Sequence, residues 1–138
     1  MKATLLEAIA NRGSGLSLPV APSKSQPLVG ATTVQGTIVA GGCGGGDGLH
    51  QLNNPTAVYM APDDTLYIAD SCNRRVVKWS PGSTSGIVVA GGHGPGGASY
   101  QLDRPVSITI DDADAMYVCE VGASRVRRGP VICESAWW

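Results

Sequence analysis

In its second half the chain alternates apolar with polar residues: Val106, Ile108 and Ile110 are interleaved with Ser107 and Thr109, the period of two that sends one face of a strand inward. The preceding Pro105 stands where a missing N–H does least harm, at a strand entrance. The same signals occur fifty residues earlier, where Pro55 leads into a strand predicted over Thr56 to Ala61. Asp63 and Asp64, answered by Asp112 and Asp114, are turn residues. A second strand is expected over Leu66 to Asp70, matched by Met116 to Glu120, and a third over Arg74 to Trp79, matched by Arg125 to Arg128. Between them Asp70-Ser71-Cys72-Asn73 suits a tight hairpin. Ser80-Pro81-Gly82 turns the chain again before a fourth strand, Ile87 to Ala90.

The match runs without a gap over Gly36 to Pro81 and its second copy. Ile38-Val39-Ala40-Gly41-Gly42 lies over Val88-Val89-Ala90-Gly91-Gly92, Gln51-Leu52 over Gln101-Leu102, Tyr67 over Tyr117, and Arg75-Val76 over Arg125-Val126. A repeat of this kind decides an architecture before any local reading does. A four-stranded antiparallel unit cannot bury both faces alone, so it must stack on copies of itself, and radial stacking makes a β-propeller. The expected fold is therefore all-β, a partial propeller of about two blades plus one outer strand. Residues 1–35 form an N-terminal extension outside the repeat, 36–42 the outer strand, 56–92 one blade and 106–138 a partial second. Two blades do not close a ring, so the chain is expected either to belong to a longer array or to self-assemble into one. Val58, Met60, Ile108 and Ile110 are expected to be exposed flanks that a closed ring would bury.

Composition agrees with short strands and turns: 19 Gly and 9 Pro with no Phe in 138 residues disfavour a helical bundle. A net charge of -1 supplies no global field toward nucleic acid or anionic lipid, so such a partner would need a local patch. Cys43, Cys72, Cys119 and Cys133 lack the close pair spacing of a zinc ribbon or redox motif and read as small structural thiols. No apolar run approaches the ~18 residues of a membrane span. In the N-terminal segment, Thr4-Leu5-Leu6-Glu7 has capping-box spacing for two helical turns. Glu7 spoils it as a signal peptide, so a cytoplasmic location is favoured, and Pro19, Pro22 and Pro27 mark an extended linker up to Gln35.

The strand-entry Pro55, the Tyr67-Ile68-Ala69-Asp70 element, the Asn73-Arg74-Arg75-Val76 segment and the Val89-Ala90-Gly91-Gly92 loop together resemble the NHL repeat. The likeness covers about Gly36 to Arg128 and is closer in the first copy; in the second, Glu120 replaces the Asp and Ala123-Ser124 replace Asn-Arg. The resemblance implies a six-bladed propeller-like array and a functionally mixed family. Some members bind RNA or act in ubiquitin transfer, some sense ligands, and a few related propellers are metal-dependent lyases. No RING, B-box or kinase motif accompanies the repeat here.

Strand order sorts the charges. The second-to-third hairpin and the long loop to the next blade lie at one end, gathering Arg74, Arg75, Arg104 and Arg125 with Cys43, His50, His93 and Tyr100. Asp63, Asp64, Asp111, Asp112 and Asp114 gather at the other. One reading makes Arg74, Arg75, Arg104 and Arg125, with His93 and Tyr100, a ligand-binding face for a protein partner or for RNA phosphates. The other makes Arg75 and Arg125 partners of the Asp70 and Glu120 carboxylates, ordering the hairpins with Asn73 while Pro55 and Pro105 set the strand entrances. The run Gly41 to Gly48 lacks the Gly-Lys-Ser/Thr ending of a phosphate loop; its glycines serve positive φ between blades. Equivalent loops of adjacent blades lie side by side, so His50, His93 and Cys43 are not expected to converge on a metal. Without a nucleophile elbow or any expected cofactor, the chain reads as a non-enzymatic interaction platform.

Overall fold

The computed structural model describes residues 35–131. The expected N-terminal helix and linker, and the end of the expected partial blade beyond residue 131, lie outside the described residues. Among the described residues seven strands form two antiparallel sheets. The first sheet holds β1 (Pro55–Met60), β2 (Leu66–Asp70), β3 (Arg75–Trp79) and β4 (Ile87–Gly91) in chain order; the second holds β5 (Pro105–Ile110), β6 (Ala115–Glu120) and β7 (Arg125–Pro130). This is a partial β-propeller, two blades of the expected meander.

The repeat holds down to single backbone angles. Asn54 and Arg104, Asp64 and Asp114, and Arg74 and Ser124 are left-handed at matching positions, the last pair with φ of 51° and 48°. Pro55 pairs with Asp70 and Pro105 with Glu120, and in both blades a bulge follows the proline. Such a bulge turns the strand at its entrance. Thr56, bulged out of the first ladder, donates its hydroxyl to the Pro105 carbonyl at 2.9 Å and so ties β1 to β5.

Cross-strand neighbours fix which face each residue takes. Ala57, Ala69, Val76 and Ala90 stand in one row, and Val58, Ile68, Val77 and Val88 in another. The alanine row, with Tyr67, packs against Ile108, Met116 and Val118 of the second blade to form the main core, closed by Leu102 and Val131. Small residues on one blade let the larger ones of the next come close. Ile108 is thus 8% exposed and Ile110 half-buried, which corrects the expectation that both would be open flanks. The repeat gives every blade two faces, and the second blade's inward face is covered by the first. Val58 and Met60, 61% and 62% exposed, lie on the face that has no such neighbour among the described residues.

Residues 36–42, expected as an outer strand, form no strand. The reason is positional: a fourth strand pairs with the third strand of its own blade, and no such strand precedes this segment among the described residues. Ala40 nonetheless packs with Leu52 and Leu66 against a second cluster of Ile68, Val77 and Trp79.

Candidate functional site

At the end of each blade where β2 meets β3, and β6 meets β7, sits a buried carboxylate. Asp70 is fully buried. One of its oxygens accepts the Asn53 backbone N–H at 2.7 Å; the other accepts Asn73 Nδ2 at 2.8 Å and Arg75 Nε at 2.7 Å. Arg75, itself buried, spends its remaining donors on the glycine-rich loop: Nη1 on the Asp47 carbonyl at 2.7 Å, Nη2 on those of Gly48 and Gln51 at 3.0 and 3.1 Å. Asn73 adds a bond to the Gly46 carbonyl at 2.8 Å. One planar cation thus pins the loop onto the hairpin, and its fork geometry is what allows it to reach carboxylate and carbonyls together.

The second blade repeats the device with different parts. Glu120 accepts the Asp103 N–H at 2.8 Å, Arg125 Nε at 2.9 Å and, unlike Asp70, a second guanidinium, Arg127 Nε at 2.9 Å. Arg125 reaches on to the Gly96 carbonyl and Arg127 to that of Ser99. Burial pushes the Glu120 pKa up, but the bonds from Arg125, the Asp103 N–H and Arg127 outweigh it, and the carboxyl titrates below its ordinary range. Arg127 occupies the position of Val77, so its part in this cluster was not legible from the repeat. The longer Glu, in place of Asp, was the available signal.

Glutamine staples complete each loop. Gln51 Nε2 donates to the Cys43 carbonyl at 3.2 Å, and Gln101 Nε2 to those of His93 and Pro95 at 3.3 and 3.2 Å. A Cβ on Gly46 or Gly96 would run into the amide end of Gln51 or Gln101, so a side chain there displaces the staple.

The six residues singled out from the sequence as ligand-binding fall into different environments. Arg75 and Arg125 are engaged by carboxylates and loop carbonyls. Arg74 is 39% exposed and its Nε, 3.6 Å from an Asp103 oxygen, makes no hydrogen bond. Arg104 is exposed beside Asp103, with φ of 49°. His93 and Tyr100, both exposed, meet edge to face with centroids 5.6 Å apart in the second loop. Asp47, Cys72, Asn73, Arg74 and His93 line a pocket of about 560 Å³ between the hairpin and the loop that follows β4.

The opposite end is built from acids in turns. Asp63 accepts the Thr65 N–H at 3.1 Å; Asp111 accepts those of Ala113 and Ala115 at 3.0 and 2.9 Å and the Tyr117 hydroxyl at 3.1 Å. Hydrogen bonding by the Thr65 and Ala115 backbone lowers the two carboxyl pKa values respectively. Among the described residues no group of three His, Cys, Asp or Glu side chains is placed to hold a metal, and no helix is long and apolar enough to cross a membrane.

Residues 52–79 match the family model of the NHL repeat. That span runs from Leu52 through the whole of β1, β2 and β3 and includes Asp70, Asn73 and Arg75. No curated protein matches the chain.

Proposed function

We propose that this chain, which carries an NHL repeat and with it a β-propeller-type module commonly used for protein interaction, is a non-enzymatic platform that holds an acidic protein segment at its hairpin end. The division among the arginines carries the reading. Arg75 and Arg125 are committed to holding the loops, while Arg74 lines the pocket together with exposed His93, and Arg104 stands exposed at the entrance of β5. A rim guanidinium with a weak ion pair exchanges that partner for an incoming carboxylate at little cost, since exposed pairs are worth only about 0–1 kcal/mol. The loops present their outward groups in a fixed arrangement because their carbonyls are already bound from beneath.

The test is fluorescence anisotropy of a labelled glutamate-rich peptide with the wild-type chain and with the Arg74→Ala/Arg104→Ala double variant. Binding that weakens several-fold in the variant and falls with added salt supports the proposal. Equal binding by the two proteins would remove the rim arginines from any site. Markedly tighter binding of a single-stranded RNA, lost in the same variant, would replace the protein partner by nucleic acid.

A further inference from the structure

The two blades treat one repeated tyrosine differently. In the second, the Tyr117 hydroxyl donates to Asp111 Oδ2 at 3.1 Å and accepts from Arg128 Nε at 3.0 Å, and the guanidinium lies 5.8 Å from the ring centroid. Fifty residues earlier Ala61 stands in the place of Asp111 and Lys78 in that of Arg128. Tyr67 therefore loses the carboxylate that its counterpart uses. It is only 5% exposed, and its hydroxyl makes no hydrogen bond among the described residues. The missing side chain also leaves room. A cavity of about 280 Å³ opens between the β1–β2 turn and the β5–β6 turn, lined by Tyr59, Ala61 and Tyr67 from the first blade and by Asp111, Asp112 and Asp114 from the second. The two tyrosine rings are tilted by 56° with centroids 6.3 Å apart.

The lining selects a ligand by charge, by surface and by size. Asp111 has both oxygens engaged, one by the Ala113 and Ala115 N–H groups and the other by Tyr117. Asp112 and Asp114 are exposed, and their carboxylates make no hydrogen bond or ion pair among the described residues. Of the cations at this end, Arg128 is held by Tyr117, and Lys78, opposite Tyr67 in the ladder, does not line the cavity. Burial raises the Tyr67 pKa, and Asp63 and Asp114 add to the effect, so the phenol keeps its proton and the acids' field reaches it. The ligand is thus a cation. It is not a metal ion, because no three of the described His, Cys, Asp or Glu side chains are placed to hold one. Tyrosine rings favour an organic cation, and a phenol oxygen accepts a hydrogen bond from an ammonium. The volume lies just under the ~300 Å³ at which small-molecule pockets begin, so it admits the end of a chain and not a nucleotide. We propose that this inter-blade cavity binds an alkylammonium group, its nitrogen between the Tyr67 hydroxyl and the Asp112 and Asp114 carboxylates and its methylenes against the two tyrosine rings. A free amine and the lysine side chain of another protein offer the same group. The inference is independent of the acidic segment proposed for the hairpin end.

The test is a heteronuclear NMR titration of the full chain with n-butylammonium chloride, at an ionic strength held constant with sodium chloride. Saturable amide shifts are expected in residues 59–62, 67 and 110–115, with a dissociation constant in the millimolar range. Two variants follow. Asp112→Asn/Asp114→Asn removes the free carboxylates, and asparagine tolerates the left-handed backbone of residue 114. Tyr67→Phe removes the hydroxyl and keeps the ring. Each is expected to weaken binding several-fold with an unchanged circular dichroism spectrum. Nα-acetyl-lysine amide is titrated alongside: tighter binding of it assigns the site to a protein's lysine, tighter binding of butylammonium assigns it to a free amine, and either result supports the proposal. Absent or non-saturating shifts with both amines, equal shifts from uncharged butanol, or unchanged affinity in either variant would overturn it.

Discussion

Replacing Asp70 by Ala removes the acceptor at the centre of the first blade's hairpin. Three donors lose their partner at once: the Asn53 N–H, Asn73 Nδ2 and Arg75 Nε. Asn73 and Arg75 keep their loop carbonyls, so the loss concentrates on a guanidinium that remains buried without its counter-charge. Removing one member of a buried pair costs on the order of 3–5 kcal/mol, because the charge left behind is desolvated and uncompensated. For a domain of this size each kcal/mol lowers Tm by about 4–8 °C, so the variant is expected to melt about 12 °C or more below wild type. The assay is thermal and urea unfolding followed by circular dichroism, with Arg75→Met and the double variant completing a cycle. The two single losses should exceed the double loss by about 1–3 kcal/mol, since each single variant strands the other group. A loss below about 1 kcal/mol for Asp70→Ala, or additive single losses, would refute the account of the carboxylate as the hairpin's anchor.

Other consequences follow from the same contacts. Met116→Ala, in the core between the blades, is expected to cost about 2–5 kcal/mol in urea unfolding, while Val58→Ala on the open face of the single chain stays within about 0.5 kcal/mol. Gly91→Ala meets both a left-handed φ and the Arg74 carbonyl, whereas Gly82→Ala meets only the φ with open space around it; the first should destabilise by at least about 1 kcal/mol more than the second. Glu120 has a lowered folded pKa, so its contribution is complete above the ordinary glutamate range and is lost as pH falls through the folded value. Acid unfolding of Glu120→Gln should therefore lack part of the wild-type decline below about pH 4.5, the pKa expected of glutamate in the unfolded chain; identical acid slopes would contradict this.

Much of this fold was legible because two copies could be read against each other. The alternation at Val106 to Ile110 and the turn residues at Asp63 and Asp114 placed strands to within one or two residues, since local propensity and packing agree there. The segment 36–42 misled because a strand is a property of a pair: its apolar pattern is right, and no strand pairs with it among the described residues. Ile108 misled for the reverse reason, since composition does not say which of a blade's two faces its neighbour covers. The pairing of Arg75 with Asp70 was open to argument from their spacing across a hairpin. The three carbonyls that Arg75 also holds were not, because they depend on the path of a loop whose glycines have no side-chain pattern to read. Arg127 shows the limit of the repeat itself: a departure from the first copy, at the Val77 position, supplies the second cation on Glu120.

Amide hydrogen exchange with and without the glutamate-rich peptide tests most directly the claim that the hairpin end is the partner-facing surface. Added protection is predicted in residues 43–50, 71–74 and 92–104, with the turns at 61–65 and 111–115 unchanged. Protection confined to those acidic turns, with none at the hairpin end, would contradict it.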